Sequence, residues 1–467
     1  MALWTRLVPE PLAKTGGMPA RDVAVRWEVA SDDAFASVVR SGTVAALPEL
    51  AHSVHVDVTD LEPGRDYFYR FISGSDVSPL GRTRTAPARN APIGSLRFAF
   101  ASCQGWPDGF YSAYRRMCDE DGLELVIHLG DYIYEYGISG NRRGVDLPGT
   151  LREECRTLER YRLQYGVYKS DPDLQQAHAR FPWMVTWDDH EVANDYAGIH
   201  PAYRNDSEGF VKRRAAAYQA YFEHQPLRGV ARPDANGGML LYRRMTWGDL
   251  AEFNVLDTRQ YRSDQPCGDG ETPRCEAGFD PDVTITGHAQ ERWLLDGLEG
   301  SDARWNVIAQ QVMMGELKHD AEGGRYWQDA WDAYPGQRAR VLRHIADAGI
   351  ANPVVVSGDW HSTFVHDLKV DFDDPDGATV ATEFVGTSIS SNGDGPVYGP
   401  YYGPMVQFNP AIRYFDGDRR GYVRCTLEHG QWTTDLRMVS TVSTPDADVE
   451  TLASFVVLDG QPGVQPF

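Results

Sequence analysis

Four apolar runs, far apart in the chain, each end in side chains that bind metals or move protons. Cys103 follows "LRFAFAS" (96–102), Asp131 follows "LELVIHLG" (123–130), Asp188, Asp189 and His190 follow "WMVTW" (183–187), and Asp359 and His361 follow "PVVVSG" (353–358). Short apolar runs of this kind read as buried strands, and in an open α/β sheet ligands collect just beyond the carboxyl ends of such strands. Singly, each residue has a plainer account: Asp131 as a turn cap, Tyr134 as core packing, Cys103 as a small buried hydrophobe, His361 as a satisfied core histidine. Jointly they predict that three or more carboxylates converge. Bare anions cannot share a small space, because like charges raise one another's pKa. A pair of metal ions offsets that repulsion, so the expectation is a metal centre.

The elements that must position these residues follow from pattern. From residue 96 onward, short apolar strands (96–103, 123–131, 183–189, 249–257, 305–313, 353–361) alternate with helical stretches (211–224, 289–298, 336–348). That alternation implies crossover units and a layered α/β arrangement. The segment "GYVRCTLEHGQWTTDLRMV" reads as a hairpin turning at His429 and Gly430. Before residue 90 the grammar differs: "RDVAVRWEV" (21–29) and "SVHVDVTDL" (53–61) alternate apolar and polar positions, and the linker "TAPARNAPIGS" (85–95) follows. Two domains are expected, an all-β sandwich at 1–90, similar in layout to a fibronectin type III module, and a larger unit at 91–467.

With 67 acidic and 45 basic residues the net charge is −22, which disfavours nucleic-acid and anionic lipid surfaces and suits divalent cations. No apolar run approaches the roughly 20 residues of a spanning helix, and "MALWTRLVPEPLAKTGG" lacks the pattern of a signal peptide. Six cysteines are too few for a disulfide framework in 467 residues. Cys267 and Cys275 flank a polar Gly- and Pro-bearing segment that a disulfide can staple in an oxidising compartment; the alternative is two free surface thiols.

In order along the chain, "ASCQ", "GDYIYEYG", "TWDDHE" and "SGDWH", with "NVLDTRQYR", "VIAQQVMMGE" and "FVGTSISSNG" between or after them, resemble the alkaline phosphatase D (PhoD-type) family of calcineurin-like metallophosphoesterases. The similarity runs over almost the whole chain. The resemblance implies a four-layer α/β (α+β) core, two packed sheets flanked by helices, behind the all-β module. It also implies a site: Cys103, Asp131, Tyr134 and His361 around ferric iron, and Asp131, Asp189 and Asp359 around at least one Ca²⁺. Cys103 stands where the wider superfamily has an Asp-x-His, and Asp189 where it has asparagine; the added oxygen charge suits calcium. The isolated superfamily histidine has no clear counterpart. Gln310 or Gln311 either supplies an amide oxygen there or satisfies buried backbone groups.

The chemistry so implied is hydrolysis of phosphate esters to inorganic phosphate by a metal-activated hydroxide. His190 is expected to support the developing charge or protonate the leaving group, the plainer alternative being that it orients Asp189. Arg259, at another strand end, either clamps a phosphate oxygen or pairs with one of the carboxylates. Export to the periplasm, cell surface or medium is expected from the family and the candidate disulfide, with a leader already removed. Two rivals remain: a narrower phosphodiesterase acting on a phospholipid or teichoic-acid-type polymer, and a non-catalytic protein whose metals only stabilise the fold.

Overall fold

The computed structural model describes residues 1–202, 208–322, 324–374 and 376–466. Among the described residues two seven-stranded sheets form the body of the molecule. The first runs, edge to edge, Trp183–Val185, Leu125–His128, Ser95–Ala101, Arg420–Glu428, Gln431–Val439, Val449–Leu458 and Gln461–Pro466. Its first three strands are parallel and the later four are added antiparallel. The second runs Arg243–Trp247, Ala251–Val255, Trp305–Ala309, Pro353–Ser357, Thr379–Val385, Thr363–Lys369 and Ile412–Asp416. Four of these, from Ala251–Val255 to Thr379–Val385, are mutually parallel.

Parallel strands buried on both faces need side chains that are apolar throughout, and "LVIH" at 125–128 and "PVVVS" at 353–357 are buried at every position. The sheets pack on each other through Phe98, Phe100 and Ile127 on one side and Phe253, Val307, Val354 and Phe384 on the other. Phe98 stands edge-on to Phe253 at 5.3 Å and to Trp432 at 5.6 Å. Each such ring contributes about 1.5–3 kcal/mol by burial. Helices cover the outer faces: Ser112–Cys118, Leu158–Tyr168, Pro172–Arg180 and Phe210–His224 on the first sheet, Gly287–Glu299 and Pro335–Asp347 on the second. In Pro335–Asp347, Arg338, Val341, Leu342 and Ile345 recur at helical spacing and face inward, and Pro335 occupies the first turn where its missing N–H costs nothing.

The architecture is therefore α/β. The strands expected at 183–189 and 353–361 stop at Val185 and Ser357, because their polar ends leave the ladder to build the site. The hairpin at His429 and Gly430 is present. Residues 1–87 carry a sheet of Val38–Ala46, Val23–Ala30 and Asp66–Ser73, the last also pairing with Asp76–Val77 and Gly81–Arg84. A second pair, Ala2–Arg6 with Ser53–Asp57, shares its apolar cluster of Val25, Val29, Val54, Tyr67 and Phe71. Cys267 and Cys275 form a disulfide. Among the described residues no helix is long and apolar enough to cross a membrane.

One core group among several buried histidines contributes to a pH response. His366 is fully buried on Thr363–Lys369, stacked on Phe364 at 5.6 Å, with Glu383 at 3.8 Å and the charges of Asp332 and Arg338 nearby. Burial pushes its pKa down to about 3. Below about pH 6.5 the unfolded chain takes up a proton that the folded one refuses, so this contribution is complete above pH 6.5 and is lost as pH falls toward 3. His366→Leu is expected to flatten the fall of thermal midpoint between pH 7 and 4.5, as read by differential scanning calorimetry. An unchanged slope refutes the assignment.

Candidate metal centre

All four sequence-predicted strand ends meet at one end of the two sheets. Cys103 lies two residues beyond Ala101, Asp131 three beyond His128, Asp188 three beyond Val185, and Asp359 two beyond Ser357. The turns are abrupt: Cys103 (φ 59°), Asp131 (54°), Asp359 (67°) and His361 (51°) all occupy the left-handed region, a conformation that costs non-glycine residues about 1–3 kcal/mol each and persists only where the surroundings enforce it. Enforcement is visible. Cys103 N–H donates to Gly130 O at 3.1 Å and Gly358 N–H to Gln311 O at 2.7 Å. Glu191 accepts the N–H groups of Asp131 at 3.1 Å, Tyr132 at 2.6 Å and Asp188 at 2.7 Å, tying two strand ends together. Gly130 (φ 112°) is required sterically, since a Cβ there would lie 2.4 Å from that of Asp188.

The ligand atoms of Cys103, Asp131 and His361 lie within 4.8 Å of one another, as do those of Asp131, Asp188, Asp189 and Asp359. Tyr134 joins the first group, its hydroxyl 2.8 Å from His361 Nε2 and 3.2 Å from Asp131 Oδ2. Asp131 belongs to both, at the junction between a thiol, phenol and imidazole half and a carboxylate half. A further cluster of Asp189, Asp195 and Asp329 continues from the second. His190 brings a ring nitrogen to Asp131 and Asp189, and its Nδ1 is 2.7 Å from Glu135 Oε2.

The electrostatics follow from this crowding. Burial, then the charges of Asp189 and Asp188, holds the Asp131 carboxyl well above the usual range. Burial, then Asp188 and Asp189, does the same to Asp359, and burial lifts Asp188 to about 7. Burial also opposes ionisation of Asp189, but Arg259 and His190 outweigh it and hold that group below the carboxylate range. Asp131 Oδ1, Asp188 Oδ2 and Asp189 Oδ1 are buried and accept no hydrogen bond. Oxygen atoms left so, beside other acids, fit cation ligands better than structural acids, which are normally satisfied. The donor set therefore fits metal ions: a thiolate, phenolate and imidazole group suits a strongly acidic or soft transition ion, and a carboxylate group suits a hard cation.

Arg259 lies beneath this floor, fully buried. Its Nε donates to Asp188, its Nη1 lies 2.6 Å from Asp329 Oδ2, and its Nη2 is 3.5 Å from Asp189 Oδ1. Of its two sequence readings, the ion pair is the contact made in this structure. Gln310 and Gln311 spend their amides on neighbours: Gln310 on Ser357 and Trp331, Gln311 on Thr258, Thr186 and Leu256. Sequence reasoning placed Asp188 at a strand end without giving it a ligand role, and it missed the parts played by Glu135, Glu191, Asp195 and Asp329. Glu191 and Asp195 lie within "DDHEVAND", where carboxyl density was a usable signal; Asp329 stands in irregular chain with none.

A layered α/β body carrying a thiol-and-acid cation site at its strand ends is built as a metallohydrolase. Residues 98–436 match the PhoD-like phosphatase family, and residues 1–87 match the PhoD-like phosphatase N-terminal domain. Alkaline phosphatase D of Bacillus subtilis (strain 168) is 47% identical over 470 residues, spanning 100% of this chain and 79% of that protein. A solved structure titled "Structure of PhoD" superposes with a TM-score of 0.94 at 46% identity, covering 100% of this chain and 89% of the other. The chain belongs to the PhoD-like phosphatase family. It is a phosphoric ester hydrolase.

Proposed function

We propose that this protein is an alkaline phosphatase and phosphodiesterase that releases inorganic phosphate from esters outside the cytosol, with ferric iron and Ca²⁺ as its metals. The observation that carries the reading is the asymmetry around Asp131: Cys103, Tyr134 and His361 on one side, Asp188, Asp189 and Asp359 on the other. Cys103, Asp131, Tyr134 and His361 would hold the iron, and Asp131, Asp189 and Asp359, with Asp188 beside them, the calcium. When bound, such ions supply Lewis acidity and lower the pKa of water toward neutrality.

The chain's own groups do the rest. Glu135 fixes His190 through Nδ1 at 2.7 Å, leaving Nε2 to donate a proton to the departing alcohol oxygen. Burial opposes a charged His190, but Asp189 and Glu135 overcome it and raise its pKa well above the ordinary value. Arg259 acts from below, holding Asp188, Asp189 and Asp329 in place. The Cys267–Cys275 disulfide supports an oxidising location. Residues 1–90 form a separate fibronectin III-like unit and 91–467 the catalytic domain, with the four-layer calcineurin-like arrangement.

Elemental analysis of purified protein is expected to find iron and calcium. EDTA is expected to abolish hydrolysis of p-nitrophenyl phosphate and of its bis ester, and Ca²⁺ rather than Zn²⁺ to restore both. Rescue by Zn²⁺ alone overturns the metal assignment; rescue of the diester activity alone favours the narrower diesterase.

A further inference from the structure

Asn392 lies on the loop that follows Thr379–Val385, exposed and in the left-handed region at φ 67°. An exposed asparagine in that conformation is ordinarily a turn residue pointing into solvent. Here the side chain turns inward, and its Oδ1 meets His361 Nδ1. Tyr398 donates its hydroxyl to the same Oδ1 at 3.3 Å. The Tyr398 hydroxyl also stands 3.5 Å from Nδ1, but an oxygen that already accepts from a phenol is placed to accept an imidazole N–H as well, an arrangement that favours the ring proton on Nδ1. His361 Nε2 then carries its lone pair toward Tyr134, 2.8 Å away, and toward the group of Cys103 and Asp131.

The loop is fixed in this position from three sides. Asn392 N–H donates to Asp108 Oδ2 at 3.0 Å. Ser391 Oγ lies 2.7 Å from both Tyr134 OH and Cys103 O and accepts Gly105 N–H at 2.8 Å. Arg420, 2% exposed, spends its guanidinium on backbone, donating to Ser391 O at 2.8 Å and His361 O at 3.3 Å. One buried cation therefore holds the carbonyls of His361 and of the residue before Asn392 together.

We propose that Asn392 is the positioning residue of the iron side, selecting the Nδ1–H tautomer of His361 and aiming Nε2 into the Cys103, Asp131 and Tyr134 group. A ligating histidine needs its other nitrogen held in this way, and loss of such a partner weakens metal binding by about 10–100-fold. An amide does the work of orientation without adding another anion to a centre already crowded with carboxylates.

This inference rests on the proposed iron site, and the test separates the two. In metal-free full-length protein labelled with ring-¹⁵N histidine, the His361 resonances, identified by their loss in His361→Gln, are expected to report Nδ1–H in the wild type and in Asn392→Asp. In Asn392→Leu they are expected to report a tautomer mixture. Ferric ion affinity is expected to fall about 10–100-fold in Asn392→Leu and to be kept in Asn392→Asp, with Ca²⁺ affinity and thermal midpoint unchanged in both. Nδ1–H in the wild type with iron affinity unaffected by His361→Gln would fail the iron reading alone. An Nε2–H wild type, or Asn392→Leu that binds iron like the wild type or loses iron, calcium and thermal stability together, overturns the proposal.

Discussion

Asp131→Asn is expected to lower kcat/KM by about a thousandfold or more while leaving the metal-free protein as stable as before, or more stable. The size follows from geometry: Asp131 is shared by three of the four clusters of ligand atoms, so one substitution weakens both halves of the centre. Lewis-acid stabilisation is worth several kcal/mol, and each 1.36 kcal/mol is about tenfold in rate. The direction of the stability effect follows from charge. Burial, then repulsion from Asp189 and Asp188, works against ionised Asp131 when no cation is bound. An isosteric amide removes that repulsion and keeps the shape. Activity on p-nitrophenyl phosphate and calorimetry of EDTA-treated protein read the two parts separately. A variant that stays active overturns the shared-ligand role, and one whose metal-free form unfolds shows that the carboxylate serves the fold.

What made Asp131 legible in the sequence was the kind of strand it ends. Leu125–His128 and Pro353–Ser357 are covered on both faces, so their apolar runs are unbroken and the first polar residue after them marks the mouth of the sheet. The same logic located Cys103, Asp188 and Asp359. It could not order the strands, because sheet order depends on which apolar face meets which. Arg420–Glu428, more than 300 positions later in the chain, lies directly beside Ser95–Ala101. Nor could it find Asp329, which enters the site from irregular chain, or Asn392, whose reach toward His361 depends on a backbone angle of 67° and on a guanidinium 28 positions further along. Period-two and period-3.6 patterns report burial; they carry no information about a single polar contact across the fold.

Arg259 shows the same limit, and its removal is the second large effect. Arg259→Met is expected to destabilise the metal-free protein by about 3–5 kcal/mol, the cost typical of breaking a buried pair from one side. The wild-type guanidinium contacts Asp188 through Nε and Asp329 through Nη1, and faces Asp189 at 3.5 Å through Nη2. Methionine fills the space and leaves these carboxylates without that charge; Arg262, 2.6 Å from Asp329 Oδ1, compensates only one of them. Arg259→Lys is expected to fall between, since a single ammonium cannot reproduce a planar fork spanning several acids. Denaturant unfolding of EDTA-treated protein measures the loss. Added Ca²⁺ is expected to recover part of it, because a cation that binds only the folded site stabilises by mass action. The phosphate-clamp reading of the same residue makes the opposite forecast, an unchanged unfolding midpoint with a raised KM, so one pair of measurements decides whether this arginine holds the floor of the site or grips its substrate.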